Sequence, residues 1–116
     1  MANPVESPFV CDMLALTPEQ RPQHLATAKA LFQTLKQVQE LPDGYAFELG
    51  SDTETLVRAA EFVALERRCC PFFGFTLKVE PEGGALWLQL TGRAGVKPFI
   101  RAELSEFLGA PLNQSR

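Results

Sequence analysis

The chain has 116 residues, of which 46% are hydrophobic and 22% charged, and its formal net charge is −3. This size and composition predict a single globular domain, residues 1–116, with a core of its own. Charges of both signs are interspersed, which argues against a nucleic-acid partner and against binding to an anionic membrane surface. The first residues lack the features of a secretion signal, and no apolar run approaches the ~20 residues of a membrane span. We therefore expect a cytoplasmic protein without a membrane partner.

Residues 1–16 form a predicted N-terminal arm, whose apolar part is either a short strand or an extended segment docked on the domain. Thr17 and Gln20 then have the spacing of a capping box at a helix start. Pro22 complicates this start, because a proline in the fifth helical position would remove a bonded N–H. We expect a short turn and then an amphipathic helix from about Pro22 to Glu40, with apolar residues every three or four positions.

A strand and a second helix are predicted after the first helix. Residues 41–44 have the composition of a turn, and residues 45–49 alternate between apolar and polar positions, as a half-buried strand does. Ser51 and Glu54 have the spacing of a second capping box, which would begin the next helix. An apolar stripe continues from there, so we expect this helix to reach the proline at position 71.

The predicted end of the second helix carries two adjacent cysteines. Pro71 pushes the residue before it out of the α region. Cys69 therefore lies in the last helical turn and Cys70 just beyond it. An extended backbone at Cys70 would allow both thiols to face one centre.

The remaining segments complete an α+β fold. Residues 75–79 and 86–90 alternate like the strands of a hairpin, and a last helix is predicted from about Val96 to Gly109. The order predicts a three-stranded, mostly antiparallel sheet in a β-α-β-β-α, ferredoxin-like variant with an extra N-terminal helix, the third strand lying beside the first. Helices would cover one sheet face. The other face carries Trp87, which either the first helix or a homodimer would cover.

The three cysteines are the chemically unusual feature of the sequence. In a reducing compartment, an odd number of cysteines argues against a disulfide framework. One hypothesis is a binding module for Zn or another thiophilic metal, or for a small molecule, since thiolates select soft cations. Its predicted metal ligands are Cys11, Cys69 and Cys70.

Two other interpretations of the cysteines stay open. A reversible disulfide, either the vicinal Cys69–Cys70 bond or a Cys11–Cys70 bond, would make the chain a thiol-redox protein or sensor. Alternatively the thiols are small core residues of a structural or interaction domain, because free cysteine behaves as a hydrophobe. A nucleophilic Cys69 is disfavoured, because the dipole at a helix C-terminus opposes a thiolate. No catalytic motif is recognised, so enzymatic activity is left open.

Two further residues could assist the cysteines. His24 is the only histidine, and because it has no partner at ligand spacing we expect a solvated helix residue. Glu66 lies one helical turn before the cysteine pair and is a weaker candidate for a base or a ligand.

Several segments resemble a group of short bacterial proteins. These proteins carry one early cysteine, an LPDGYAF segment, here residues 41–47, and an E-x-x-C-C-P-F motif, here residues 66–72. The resemblance extends over residues 11–108 and implies no particular reaction. It does imply a shared site formed by Cys11, Cys69 and Cys70.

Overall fold

The computed structural model describes residues 7–108 as three helices packed on one antiparallel sheet. The sheet has the strand order β1-β2-β4-β3, with every neighbouring pair antiparallel. The predicted α+β class is confirmed, and so is the placement of the last strand beside the first predicted one. In chain order the elements are a 3₁₀ turn (Met13–Ala15), α1 (Gln20–Phe32), β1 (Gln37–Leu41), β2 (Gly44–Leu49), α2 (Thr53–Cys69), β3 (Gly74–Val79), β4 (Leu86–Thr91) and α3 (Val96–Leu108).

The first helix is shorter than predicted, and the prediction of three strands is wrong for the same reason. α1 ends at Phe32, and Gln37–Leu41 form a fourth strand, β1. Val38 fits the helical spacing, but it also fits a strand in which alternate residues face the core, opposite Phe47 of β2. Pairing with β2 decides between the two, because it satisfies the backbone groups of both strands.

The start of α1 agrees with the prediction, whereas the start of α2 differs from it. The capping box of Thr17 and Gln20 is confirmed, with Thr17 N donating to Gln20 Oε1 at 3.0 Å and Gln20 N donating to Thr17 Oγ1 at 3.2 Å. The predicted short turn followed by a helix near Pro22 is confirmed, since α1 begins at Gln20 and this proline lies in its first turn, where its missing N–H has no intrahelical partner to lose. At α2 the N-cap is Asp52, which accepts from Thr55 N at 3.2 Å, and not Ser51.

All three helices lie on one face of the sheet. Phe32 of α1 contacts Phe47 edge-on at 5.5 Å, on the face opposite to Trp87. A shallow cleft of about 230 Å³ lies on the Trp87 face, and in the described part of the chain its lining comes from strand residues and from Glu80, which follows β3, with none from α1. The prediction that α1 covers Trp87 is therefore wrong, and the homodimer stays a prediction. Within residues 7–108, no helix is long and apolar enough to cross a membrane.

Candidate functional site

The N-terminal arm is joined to the end of α2 by a disulfide. Cys11 and Cys70, 59 residues apart in the chain, form this bond. On both sides of its 3₁₀ turn the backbone of the arm is extended but does not form a strand. Of the two predicted forms, a short strand or a docked extended segment, the structure has the docked segment. Asp12 N donates to the Cys69 carbonyl oxygen at 2.8 Å, and Arg68 Nη2 donates to the Ala15 carbonyl oxygen at 2.9 Å. The arm is thus held at α2 by covalent and polar contacts together.

Cys69 keeps a free, buried thiol. Its Sγ lies 3.6 Å from the Glu66 carbonyl oxygen and 3.7 Å from Glu66 Oε1. Burial, followed by the negative charge of Glu66, raises the pKa of the Cys69 thiol to about 12. The thiol is therefore protonated near neutral pH, which agrees with the expectation that Cys69 is a poor nucleophile.

Glu66 lies at the centre of the site. It is one turn before the cysteines on α2, so its carboxylate reaches both of them. Its Oε2 is 3.4 Å from Cys70 Sγ, and its Oε1 is 2.7 Å from His24 Nε2. On the other side of the disulfide, Cys11 Sγ lies 3.5 Å from Glu103 Oε1 of α3. Each sulfur of the bond therefore has a carboxylate beside it.

His24 is a buried partner of Glu66, and the prediction of a solvated residue is wrong. Its side chain is 3% exposed, that of Glu66 is 12% exposed, and the imidazole stacks on Phe62 with ring centroids 5.4 Å apart. Because a carboxylate only accepts, the 2.7 Å contact assigns the ring proton to Nε2. Nδ1 is buried and has no hydrogen-bond partner among residues 7–108. The burial comes from the packing of α1 on α2, which no local pattern around a single histidine reveals.

Within residues 7–108, two overlapping groups of side chains have the spacing of metal ligands. In each group the potential ligand atoms lie within 4.8 Å of one another. Cys69 falls in one group, whereas Cys11 and Cys70 fall in the other, so the predicted three-cysteine site stays a prediction. Glu66 belongs to both groups: Cys11, Glu66 and Cys70; His24, Glu66 and Cys69.

A cleft of about 270 Å³ lies along the seam between the arm and the end of α2. It is lined by neighbours of both bonded cysteines, among them Val10, Asp12 and Pro71.

No protein-family model, curated protein or solved structure matches the chain. A function is therefore inferred from the geometry of the site.

Proposed function

We propose that the chain is a thiol-redox protein in which Cys11 and Cys70 cycle between a disulfide and a dithiol. What supports this proposal is the carboxylate beside each sulfur, Glu103 at Cys11 and Glu66 at Cys70. A carboxylate can only accept hydrogen bonds, and a disulfide sulfur has no proton to donate. A thiol does have one. The surroundings of the bond therefore favour the reduced form.

The expected effect on the reduction potential is modest but measurable. If each thiol-to-carboxylate hydrogen bond contributes ~1 kcal/mol, the two together stabilise the dithiol by ~2 kcal/mol. In a two-electron couple this corresponds to a potential ~40 mV less negative than the same disulfide would have without them. The two carboxylates would not stabilise a disulfide that has only a structural role, because such a bond stays oxidised and has no thiol proton to donate.

The exposure of the two cysteines sets the order of the exchange. Cys11 is half-buried and Cys70 is fully buried, so a disulfide substrate RSSR meets Cys11 first. Cys11 transfers its proton to Glu103 and attacks one substrate sulfur, and RS⁻ leaves. Cys70 transfers its proton to Glu66 and attacks the Cys11 sulfur of the mixed disulfide, and the second RS⁻ leaves. The two leaving groups take up the two protons, so one RSSR is reduced to two RSH as the dithiol is oxidised.

His24 and Cys69 have supporting places in this scheme. The 2.7 Å hydrogen bond from His24 Nε2 to Glu66 Oε1 leaves Oε2 directed at Cys70. His24 is thus a positioning residue. Cys69 keeps a free thiol while Cys70 is bonded to Cys11, so Cys69 is not the partner of Cys70 in the proposed cycle. This departs from the vicinal-pair hypothesis drawn from the adjacency of Cys69 and Cys70.

Alkylation and mass spectrometry under oxidising and reducing buffers test the cycle. We expect one reversible disulfide, assigned by peptide mapping to Cys11 and Cys70, with Cys69 alkylated only after unfolding. Glu66→Gln should make the reduction potential ~20 mV more negative, because it removes one charged acceptor. Glu61→Gln, an exposed position on the same helix, makes the same charge change away from the sulfurs and should leave the potential unchanged. Equal potentials for wild type and Glu66→Gln would contradict the role of the carboxylate.

A further inference from the structure

We propose that the reduced form binds one thiophilic divalent cation, Zn(II), through Cys11, Cys70 and Glu66, and that disulfide formation expels it. The inference rests on the proposed redox cycle, since only the dithiol can ligate. It adds a ligand class and a regulatory consequence to the same site. Metal binding would protect the dithiol, and oxidation would release the metal.

The distances in the group suit a tetrahedral zinc site. With Zn–S bonds of about 2.3 Å and Zn–O bonds of about 2.1 Å, the edges of such a site are roughly 3.8 Å between two sulfurs and roughly 3.6 Å between sulfur and oxygen. Cys70 Sγ and Glu66 Oε2 already lie 3.4 Å apart. Reduction lets the two sulfurs move apart from bonding distance to ordinary contact, which is close to the required edge. All three ligand atoms lie within 4.8 Å of one another before any such movement.

The chemistry of the donors also suits a cation. Two thiolates and a carboxylate form a soft, negatively charged set that selects Zn(II) over Mg(II) or Ca(II). A bound cation deprotonates its thiol ligands, so the site does not need thiolates in the free protein. Glu103 Oε1, 3.5 Å from Cys11 Sγ, or a water molecule would complete the coordination.

His24 supplies the outer support that metal ligands usually have. Its Nε2 donates to Glu66 Oε1, while Oε2 of the same carboxylate faces Cys70. Hydrogen bonds of this kind orient a ligating carboxylate, and their loss typically weakens metal binding by roughly 10- to 100-fold. Both partners are largely buried, with side chains 3% and 12% exposed, so the orientation is maintained by packing as well.

Cys69 is not a ligand in this proposal. Its sulfur groups with His24 and Glu66, apart from Cys11 and Cys70. The inference therefore replaces one thiolate of the predicted three-cysteine site with the Glu66 carboxylate. Cys69→Ser provides a matched control, because it removes a thiol next to the site while leaving the three proposed ligands in place.

The release step balances in atoms and electrons. A disulfide oxidant RSSR accepts two electrons from the two zinc-bound thiolates. The Cys11–Cys70 bond forms and the RSSR bond breaks, giving two RS⁻. Zn(II) keeps its charge and leaves, because both sulfur ligands have been consumed.

Titration of the reduced protein with Co(II) and Zn(II) under anaerobic conditions tests the inference. We expect one equivalent to bind, with a thiolate-to-Co(II) charge-transfer band that Zn(II) abolishes. Oxidised glutathione should then release the Zn(II) to a chromophoric chelator in step with disulfide formation. Cys69→Ser should bind like wild type, His24→Gln roughly 10- to 100-fold more weakly, and Cys11→Ser more weakly still. Circular dichroism verifies that each variant is folded.

Three results would overturn the inference. They are the absence of binding to the reduced protein, equal binding to the oxidised protein, and binding that Cys69→Ser abolishes but Cys11→Ser leaves intact. The last result would assign the metal to His24, Glu66 and Cys69. A disulfide that cycles normally in chelator-treated buffer, without metal binding, would refute only the metal site. Metal binding without a reversible disulfide would refute the redox function.

Discussion

Cys11→Ser tests how much of the stability depends on the disulfide that holds the arm. The bond closes a loop between residues 59 apart. For a loop of about 60 residues, the chain-entropy relation gives a loss of about 14 cal/mol/K in the unfolded state, or about 4 kcal/mol at 25 °C. In the variant, hydrogen bonds from the introduced hydroxyl to Glu103 and from the freed Cys70 thiol to Glu66 would offset this by up to ~2 kcal/mol in the native state. We therefore expect Cys11→Ser to be less stable than the oxidised wild type by about 2–4 kcal/mol.

Urea unfolding followed by circular dichroism measures this difference. With a slope of about 2 kcal/mol per molar urea, the midpoint of Cys11→Ser should lie about 1–2 M below that of the oxidised wild type. The reduced wild type is the matched control, and its midpoint should approach that of the variant, which should not respond to reductant. Neither the substitution nor reduction changes the groups that form the Asp12 and Arg68 hydrogen bonds of the arm. Coincident midpoints for the oxidised wild type and the variant would refute the assigned role of the bond.

Three other predictions concern Cys69, His24 and Trp87. Because the Cys69 thiol has its pKa raised from 9.0 to about 12, its contribution to stability is complete below pH 9.0 and is lost as the pH rises toward 12. Urea midpoints across this range should fall more steeply for wild type than for Cys69→Ser, and parallel curves would exclude a buried protonated thiol. His24→Ala removes the hydrogen bond to Glu66 and the stacking on Phe62, and should lower the free energy of unfolding by about 3 kcal/mol; a loss under ~0.5 kcal/mol in urea unfolding would indicate a solvated histidine. The predicted homodimer should give a dimer mass by light scattering that Trp87→Glu reduces to a monomer, and a monomeric wild type would end that hypothesis.

Local signals in the sequence predicted much of the fold. The capping box of Thr17 and Gln20 depends on residues three apart, and the hairpin of β3 and β4 depends on alternation within each strand. The strand β1 was missed because its apolar spacing fits both a helix and a strand. Its strand conformation depends on hydrogen bonding to β2. The spacing of apolar residues within this segment does not reveal that pairing.

The candidate site, like the fold, was predicted from the sequence only in part. The spacing of Glu66 to Cys69 and Cys70 on one helix was visible in the sequence, and this turn of α2 does form the centre of the site. His24 and Glu103 come from other helices, and no local pattern connects them to the cysteines. Their contribution depends on how α1 and α3 pack against α2. A lone histidine and an acidic residue in a helix carry no signal of that packing.

The reduction potential of the Cys11–Cys70 bond tests the central claim most directly. The protein is equilibrated with graded ratios of reduced and oxidised dithiothreitol, and the oxidised fraction is counted by alkylation and mass spectrometry. Structural disulfides typically have potentials below about −300 mV, so a redox-active pair favoured in its dithiol form should lie above that value. A potential well below about −300 mV, unchanged in Glu66→Gln, would identify the bond as a purely structural disulfide and contradict the proposed function.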